Sequence, residues 1–553
     1  MGQQKKENNF LVHGGILAIA SIFVRFIGMI YRIPMVNIIG SEGNGYYSTA
    51  YSVYNILLLL SSYSMPLAVS KMVSARIAVG KWKETGRVLA VALVFGIAVG
   101  TLFGALAYFG ADFFCTKIMN SPMSAIALKW MAPTIFIMAV LGVLRGFFQG
   151  LQTTIPTAVS QILEQIINAV VSVVMASVLF KYGTGLIAST GNEAEAPAWG
   201  AAGGTIGTGA GALTALIFCI IVFFLFRDYF RRGIASDRHM KVRSYQKLTK
   251  ILFFTAVPVI LSTAAYNCID IIDAAIFNAV MNKRGMAYEA YSSIWGDYNS
   301  AFLLLVHLPV AFASAIASAL VPSLSAAYAE NDRKKCMSKV STTMRVTLLI
   351  AIPCAFGMMA IGGNLAKLLF KTIDDTAMKY LTAGGLAVIF FSVSTVTNAI
   401  LQGINKMEKP MFHAVISLIV HTAVLLVLMF VFKLGIYAVI ISYTVFGIVM
   451  SVLNLLAIYR LTGYTPDAMR EIGIPVIASI VVVIICFATA FVVTRFTVGR
   501  MANLLIVLIS FFAGAAVYAV IILKSGCITK AQLKTLPMGT KAATLFEKMH
   551  LLG

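Results

Sequence analysis

The sequence predicts an all-α integral membrane protein of about fourteen transmembrane helices: two pseudo-symmetric six-helix lobes followed by two extra C-terminal helices. Three observations predict it. Hydrophobic residues make up 59% of the 553 residues and charged residues 12%, about half the charged share of a soluble domain. Apolar runs of about 20 residues, the length that crosses a ~30 Å hydrocarbon core, recur from one end to the other. A short motif in one half returns in the other. With no water in the hydrocarbon core, backbone groups must pair within a helix or a closed barrel. The runs here are continuous rather than alternating, so helices are expected.

In chain order, the first expected span is 11–38. It follows the polar start MGQQKKENNF and is too long and too charged for a cleavable signal peptide. A short outer loop, SEGNGYY, leads to span 46–70, and then come 88–112, 126–148, 156–180 and 201–226. The last of these opens with GAAGGTIGTGAGA, which predicts close helix approach. It holds no lysine and is no phosphate-binding P-loop. The basic stretch 227–250 is the expected cytoplasmic inter-lobe linker. Spans 251–281, 297–325, 343–370, 379–402, 411–432 and 435–459 form the second lobe, 1–226 being the first and 251–460 the second. Spans 473–494 and 501–523 have no counterpart in the repeat, and 525–553 is a tail.

The repeat rests on LRGFFQGLQTTIPTAVSQIL against TNAILQGINKMEKPMFHAVISLI. Gln149-Gly150 matches Gln402-Gly403, and Pro156 matches Pro410. Residues 68–81 loosely echo 320–333 at an offset of about 252. Parallel repeats with a substrate between them are a recurring transporter plan.

The formal net charge of +22 raises nucleic acid as a partner. The basic residues, however, sit in short loops between spans, as the positive-inside rule expects, so nucleic acid is not expected. With the N-terminus inside, 29 of the 43 Lys and Arg fall in inner segments, which predicts two cytoplasmic termini. The seven Cys (115, 219, 268, 336, 354, 486 and 527) form no C-x-x-C pair and no Cys/His cluster, so no zinc or redox signature is present.

Candidate site residues follow from charges placed inside spans. Arg25 and Arg32, seven apart in SIFVRFIGMIYRIP, lie on one face of the first span. A charge at that depth costs at least ~2.5–3.5 kcal/mol, so it should meet a wet cavity or a partner. The guanidinium fork suits bidentate phosphate binding, which makes these two, with Arg145, a candidate anion clamp. Pairing with buried acids such as Glu164, Asp270 or Asp273 is the structural alternative. Asn267, Asp270 and Asp273 recur at three-residue spacing and are expected to share a face, where carboxylates would suit a coupling cation or proton. His413, Ser417 and His421 line another face, and His307 lies in a further span. A single intramembrane His is more often a satisfied core residue than a proton relay. No G-x-x-x-x-G-K-[ST], G-x-S-x-G or H-E-x-x-H occurs, and the first outer loop offers Glu42 alone. No cofactor is expected, and transport is favoured over catalysis.

The run R-F-I-G-M-I-Y-R-I-P…I-I-G-S-E-G-N-G-Y-Y (25–47), followed by P-L-A-V-S-K-M-V-S (66–74), resembles the multidrug/oligosaccharidyl-lipid/polysaccharide exporter superfamily. Within it the chain is most similar to the polysaccharide-transport and stage V sporulation protein B branch, close to the MurJ-type lipid II flippases. The resemblance covers essentially the whole chain. It implies a V-shaped pair of lobes around a cationic central cavity, working by alternating access as a monomer in a bacterial cytoplasmic membrane. The substrate would be a lipid-linked anionic saccharide, its polyprenyl tail lying in a groove by the last two spans, among membrane lipids. Arg25 matches the first arginine of span 1 in the flippases. Where lipid II flippases often carry Arg-Asp next, this chain has Tyr31-Arg32, as sporulation-type members do. Some flippases place a sodium site with acids in spans 7 and 11. Here span 7 offers Asp270 and Asp273 and span 11 offers His413 and His421, so Na+, H+ and membrane potential all stay open as the drive. A cation-coupled multidrug antiporter and a membrane glycosyltransferase or ligase are the alternatives. The first would place an acidic drug site, and the second a catalytic acid, where this chain has arginines and a bare loop.

Overall fold

The computed structural model describes residues 20, 23–63, 65–237, 242–330 and 332–527. The start of the first expected span, part of the basic linker (238–241) and the tail from 528 lie outside the described residues. Among the described residues the chain is helical with no strand. Eleven helices among the described residues are long and apolar enough to cross a membrane, or twelve if one bent pair counts as a single span, where the sequence predicts about fourteen for the whole chain. The chain divides into two compact units, Met1–Gly296 and Asp297–Gly553.

The first unit holds α1 (Arg32–Leu58), α2 (Met65–Ile77), α3 (Trp82–Phe109), α4 (Ser124–Gly150), α5 (Ile155–Thr190), α6 (Glu195–Leu225), α7 (Arg227–Ser236), α8 (Tyr245–Lys283) and all but the last residue of α9 (Tyr288–Asp297). Residues 23–30 are also helical. Gly40 interrupts α1 with φ +75° and ψ 176°, a conformation that glycine adopts without the penalty a Cβ would bring. This break separates the first two expected spans.

The expected outer loop SEGNGYY is not a loop. Residues 41–47 are helical and, Glu42 aside, buried. The physical reason is a close crossing of α1 and α9. A Cβ at Gly45 would overlap the Ser292 carbonyl, and one at Gly296 would overlap the Ser41 carbonyl. Only hydrogen at those two positions lets the backbones approach, and Asn44 Nδ2 then donates to the Gly296 carbonyl at 2.7 Å. Two backbones this close exclude solvent, so a polar side chain there pairs with protein, as Asn44 does, instead of lying in a wet loop.

Glycine also sets the other contacts of this unit. Gly96, Gly100 and Gly104 of α3 pack at one-turn spacing on Ala139, Phe136 and Ala132 of α4. The Gly-rich opening of α6 brings Gly203 onto the Met175 carbonyl, Gly207 onto Ser172 and Gly211 onto the Glu164 carbonyl of α5, the close approach the sequence predicts. Between α1 and α2 lies a π-helical turn, Leu59–Tyr63. Ser61 and Ser62 both donate to the Leu58 carbonyl there at 3.0 Å, occupying an acceptor that the widened turn frees.

The second unit comprises α10 (Leu304–Ala329), α11 (Arg333–Leu369), α12 (Tyr380–Gly384), α13 (Ala387–Gly403), α14 (Glu408–Phe430), α15 (Ile436–Thr462), α16 (Ile474–Phe496) and α17 (Gly499–Lys524). Its core joins Leu324, Met344, Val396, Ile400 and Ile458. The last two helices pack on α11 through Leu349, Ala478 and Ile522, and Tyr518 Oη donates to the Leu349 carbonyl at 2.8 Å. Elsewhere they expose large apolar side chains, Phe496 at 83% and Phe512 at 67% among them, as a surface facing hydrocarbon requires.

The sequence repeat has a backbone counterpart inside each unit. After α4, Gln152 has φ +63°; after α13, Asn405 has φ +59°. The Gln152 amide donates to the Gln149 carbonyl and the Asn405 amide to the Gln402 carbonyl, both at 3.0 Å. The Thr153 amide reaches the Phe148 carbonyl as the Lys406 amide reaches the Leu401 carbonyl. Gly150 packs on Val73 of α2, and Gly403 on Leu324 of α10. Thus Gln-Gly marks the same left-handed helix stop twice.

Candidate functional site

The polar residues that the sequence singles out in the first unit come from the segment before Gly40 and from α1, α4, α5 and α8. Arg32 and Tyr47 are fifteen residues apart, which a straight helix would separate by about 22 Å. The turn at Gly40 brings them together. The Arg32 guanidinium lies 5.8 Å from the ring centres of both Tyr47 and Tyr51. Those rings, one helical turn apart, stack at 6.0 Å. A cation over aromatic faces is held without being neutralised. Among the described residues Arg32 has no carboxylate within ion-pair distance, and neither has Arg25, whose side chain is exposed. Tyr31, next to Arg32, is buried and receives Asn168 Nδ2 of α5 on its hydroxyl at 3.5 Å.

Arg145 is differently placed. It is buried in α4, with its Nη2 2.7 Å from Glu164 Oε2 and its Nε donating to Ser160 Oγ at 2.9 Å, both partners on α5. Its charge is therefore engaged within the unit, the structural alternative that the sequence leaves open for it.

The three α8 residues do not share one environment. Asp273 is buried, Asn267 half-buried and Asp270 exposed. Three-residue spacing advances 300° on a helix, so each step drifts about 60° and the set wraps around the helix instead of lining one face. Among the described residues no group of three His, Cys, Asp or Glu side chains could hold a metal.

His413 and His421 belong to the second unit. His413 Nδ1 pairs with Asn454 Oδ1 at 2.7 Å, and Asn454 Nδ2 donates to Thr397 Oγ1 at 3.0 Å and Asn398 Oδ1 at 2.8 Å. His421 is fully buried with its ring edge-on to Phe446. His307 Nε2 meets the Tyr443 hydroxyl at 3.2 Å. Of the three, only His421 is a core residue; His413 is half-buried and His307 exposed. Sequence reasoning missed Tyr31, Tyr47, Tyr51, Ser160 and Asn168. The four-residue spacing of Tyr47 and Tyr51 was the available signal, but only the bend at Gly40 reveals that Arg32 is what they face.

Comparison with known proteins agrees with this architecture. The family model described as polysaccharide biosynthesis protein matches residues 11–328, and the MatE model matches 299–428. The lipid II flippase MurJ of Bacillus subtilis (strain 168) is 25% identical over 550 residues, 94% of this chain and 96% of that one. Stage V sporulation protein B of the same organism is 21% identical over 96% of this chain and 98% of its own length. Among solved structures, lipid II flippase MurJ in an inward closed conformation superimposes with a TM-score of 0.60 at 16% identity, covering 91% of this chain and 98% of that chain. An inward-facing multidrug resistance MATE family transporter of the MOP superfamily gives 0.59 at 14%, covering 80% and 99%. The MurJ and MATE relatives are a flippase and a transporter rather than enzymes. The chain is a multi-pass membrane protein that belongs to the polysaccharide biosynthesis protein family and shares its fold with transporters of the MOP superfamily.

Proposed function

We propose that this transporter flips an undecaprenyl-pyrophosphate-linked saccharide, lipid II or a polysaccharide repeat unit, across the bacterial cytoplasmic membrane by alternating access. The observation that carries the reading is the Arg32 guanidinium, lying against two tyrosine rings with no carboxylate partner among the described residues. A charge placed in an apolar span and left un-neutralised attracts an anion, and a diphosphate answers a guanidinium with short, bidentate, charge-assisted hydrogen bonds. Arg25, exposed seven residues earlier, adds a second donor. Arg145 positions α4 against α5 through Glu164 and Ser160. The identity of the relatives supports the same substrate class. Fourteen spans, two six-helix lobes, cytoplasmic termini and a tail groove by α16 and α17 complete the proposal. Asp270 and Asp273 are the acids offered for coupling to Na+ or H+.

The test is translocation of a fluorescent lipid-linked saccharide in proteoliposomes. Losing one charge-assisted contact costs about 1.5–3 kcal/mol, so Arg25→Ala and Arg32→Ala should each slow transport about ten- to a hundred-fold. Arg32→Lys should retain part of the rate, since it keeps the charge and loses the fork. Wild-type rates in both alanine variants would remove the clamp. In a host depleted of its lipid II flippase, rescue of growth would assign lipid II. Failure there, with rescue of a capsule or spore-coat defect, would assign another saccharide.

A further inference from the structure

One end of the second unit carries a cleft of about 650 Å³ bounded by the ends of four helices. Tyr328 comes from the end of α10, Arg333 and Cys336 from the start of α11, Ile404 from just beyond α13, and Tyr459 and Arg460 from the last turn of α15. The volume is in the range of sites for small organic ligands. Among the described residues no carboxylate lines it.

We propose that this cleft is a binding site for a phosphate-bearing anion, with Arg333 and Arg460 as its charged donors and Tyr328 and Tyr459 as its neutral ones. Both arginines are exposed, and among the described residues neither forms a hydrogen bond or ion pair. The nearby acids are committed elsewhere. Asp332 accepts the Lys335 amide at 2.9 Å, Glu330 pairs with the Lys335 ammonium at 2.8 Å, and Glu471 receives Tyr464 Oη at 2.8 Å and faces Arg345 at 3.4 Å.

The 37-residue α11 starts at the cleft with Arg333, its first turn already capped by the Asp332 carboxylate. α15 ends beside it at Gly463, which is left-handed and donates its amide to the Tyr459 carbonyl at 2.8 Å. Two guanidiniums and two phenols suit the several oxygens of a phosphate or diphosphate. A membrane phospholipid headgroup and a soluble phosphate share that chemistry. The inference does not depend on the flippase reading, because it concerns binding and not transport.

The experiment measures binding to the purified full-length protein in detergent by calorimetry. The probes are inorganic pyrophosphate, a short-chain phosphatidylglycerol and a short-chain phosphatidylcholine as zwitterionic control. The wild type should bind at least one anionic probe. The Arg333→Ala/Arg460→Ala pair should bind it at least ten-fold more weakly, and the Arg333→Lys/Arg460→Lys pair should lose less. Pyrophosphate alone would identify a soluble ligand, the lipid alone a headgroup, and both a site that reads phosphate only. The exposed positions make misfolding of the variants a separable question, checked by thermal unfolding. Absence of binding to either anionic probe, or an alanine pair that binds as the wild type does, would overturn the proposal.

Discussion

Arg145 in the first unit and Asn398 in the second hold matching places in the repeat, at the same offset that pairs Gln149 with Gln402 and Gly150 with Gly403. The backbones that follow are alike, down to the left-handed residues Gln152 and Asn405. The side-chain chemistry is not. Arg145 reaches the next helix through an ion pair with Glu164 and a hydrogen bond to Ser160. Asn398 instead joins a neutral set of Asn454, Thr397 and His413. The comparison teaches that glycine and turn chemistry preserve the frame while its polar filling diverges. It also places the intramembrane arginines singled out by the sequence, Arg25, Arg32 and Arg145, in the first unit.

Substitutions can break the comparison. The largest effect is expected from Glu164→Ala, which strands a buried guanidinium. Breaking a buried pair from one side costs about 3 kcal/mol or more, and the partial exposure of Glu164 (21% of its side chain) argues for the lower end. Thermal unfolding in detergent would show it, and Arg145→Met/Glu164→Leu should recover part of the loss. Next, Asn454→Ala removes a carboxamide that serves three partners but leaves no charge behind, so about 1–3 kcal/mol is expected by the same measurement. A loss matching that of Glu164→Ala would erase the distinction between charged and neutral networks. The smallest effect sharpens the shared frame. Gln152→Gly and Asn405→Gly relieve a left-handed non-glycine residue, worth about 1–2 kcal/mol, against the greater chain entropy of glycine. Each should shift stability by under about 1 kcal/mol, and in the same direction.

Much of this fold was legible in the sequence. The apolar runs located most helices because length and hydropathy are the bilayer's own requirements. The Gly-rich opening of α6 announced its packing, and Gln-Gly announced the repeated stop. The helical path through 41–47 was not legible. It depends on Gly45 and Gly296 meeting backbone from another helix, which no local pattern records. The site divides in the same way. Arg32 was visible as a misplaced charge, whereas its tyrosine cage required knowing that Gly40 turns the chain back. Asp270 and Asp273 looked like a pair by spacing, yet one is exposed and the other buried because three-residue steps drift around a helix.

The most direct measurement is the affinity of the detergent-purified protein for a water-soluble, short-chain polyprenyl-pyrophosphate saccharide, comparing Arg32→Ala with His413→Ala. The account predicts that the arginine variant binds at least ten-fold more weakly while the histidine variant binds within about two-fold of wild type, since a charge-assisted contact outweighs a neutral hydrogen bond outside the site. Undiminished binding by Arg32→Ala, or an equal loss in both variants, would contradict it.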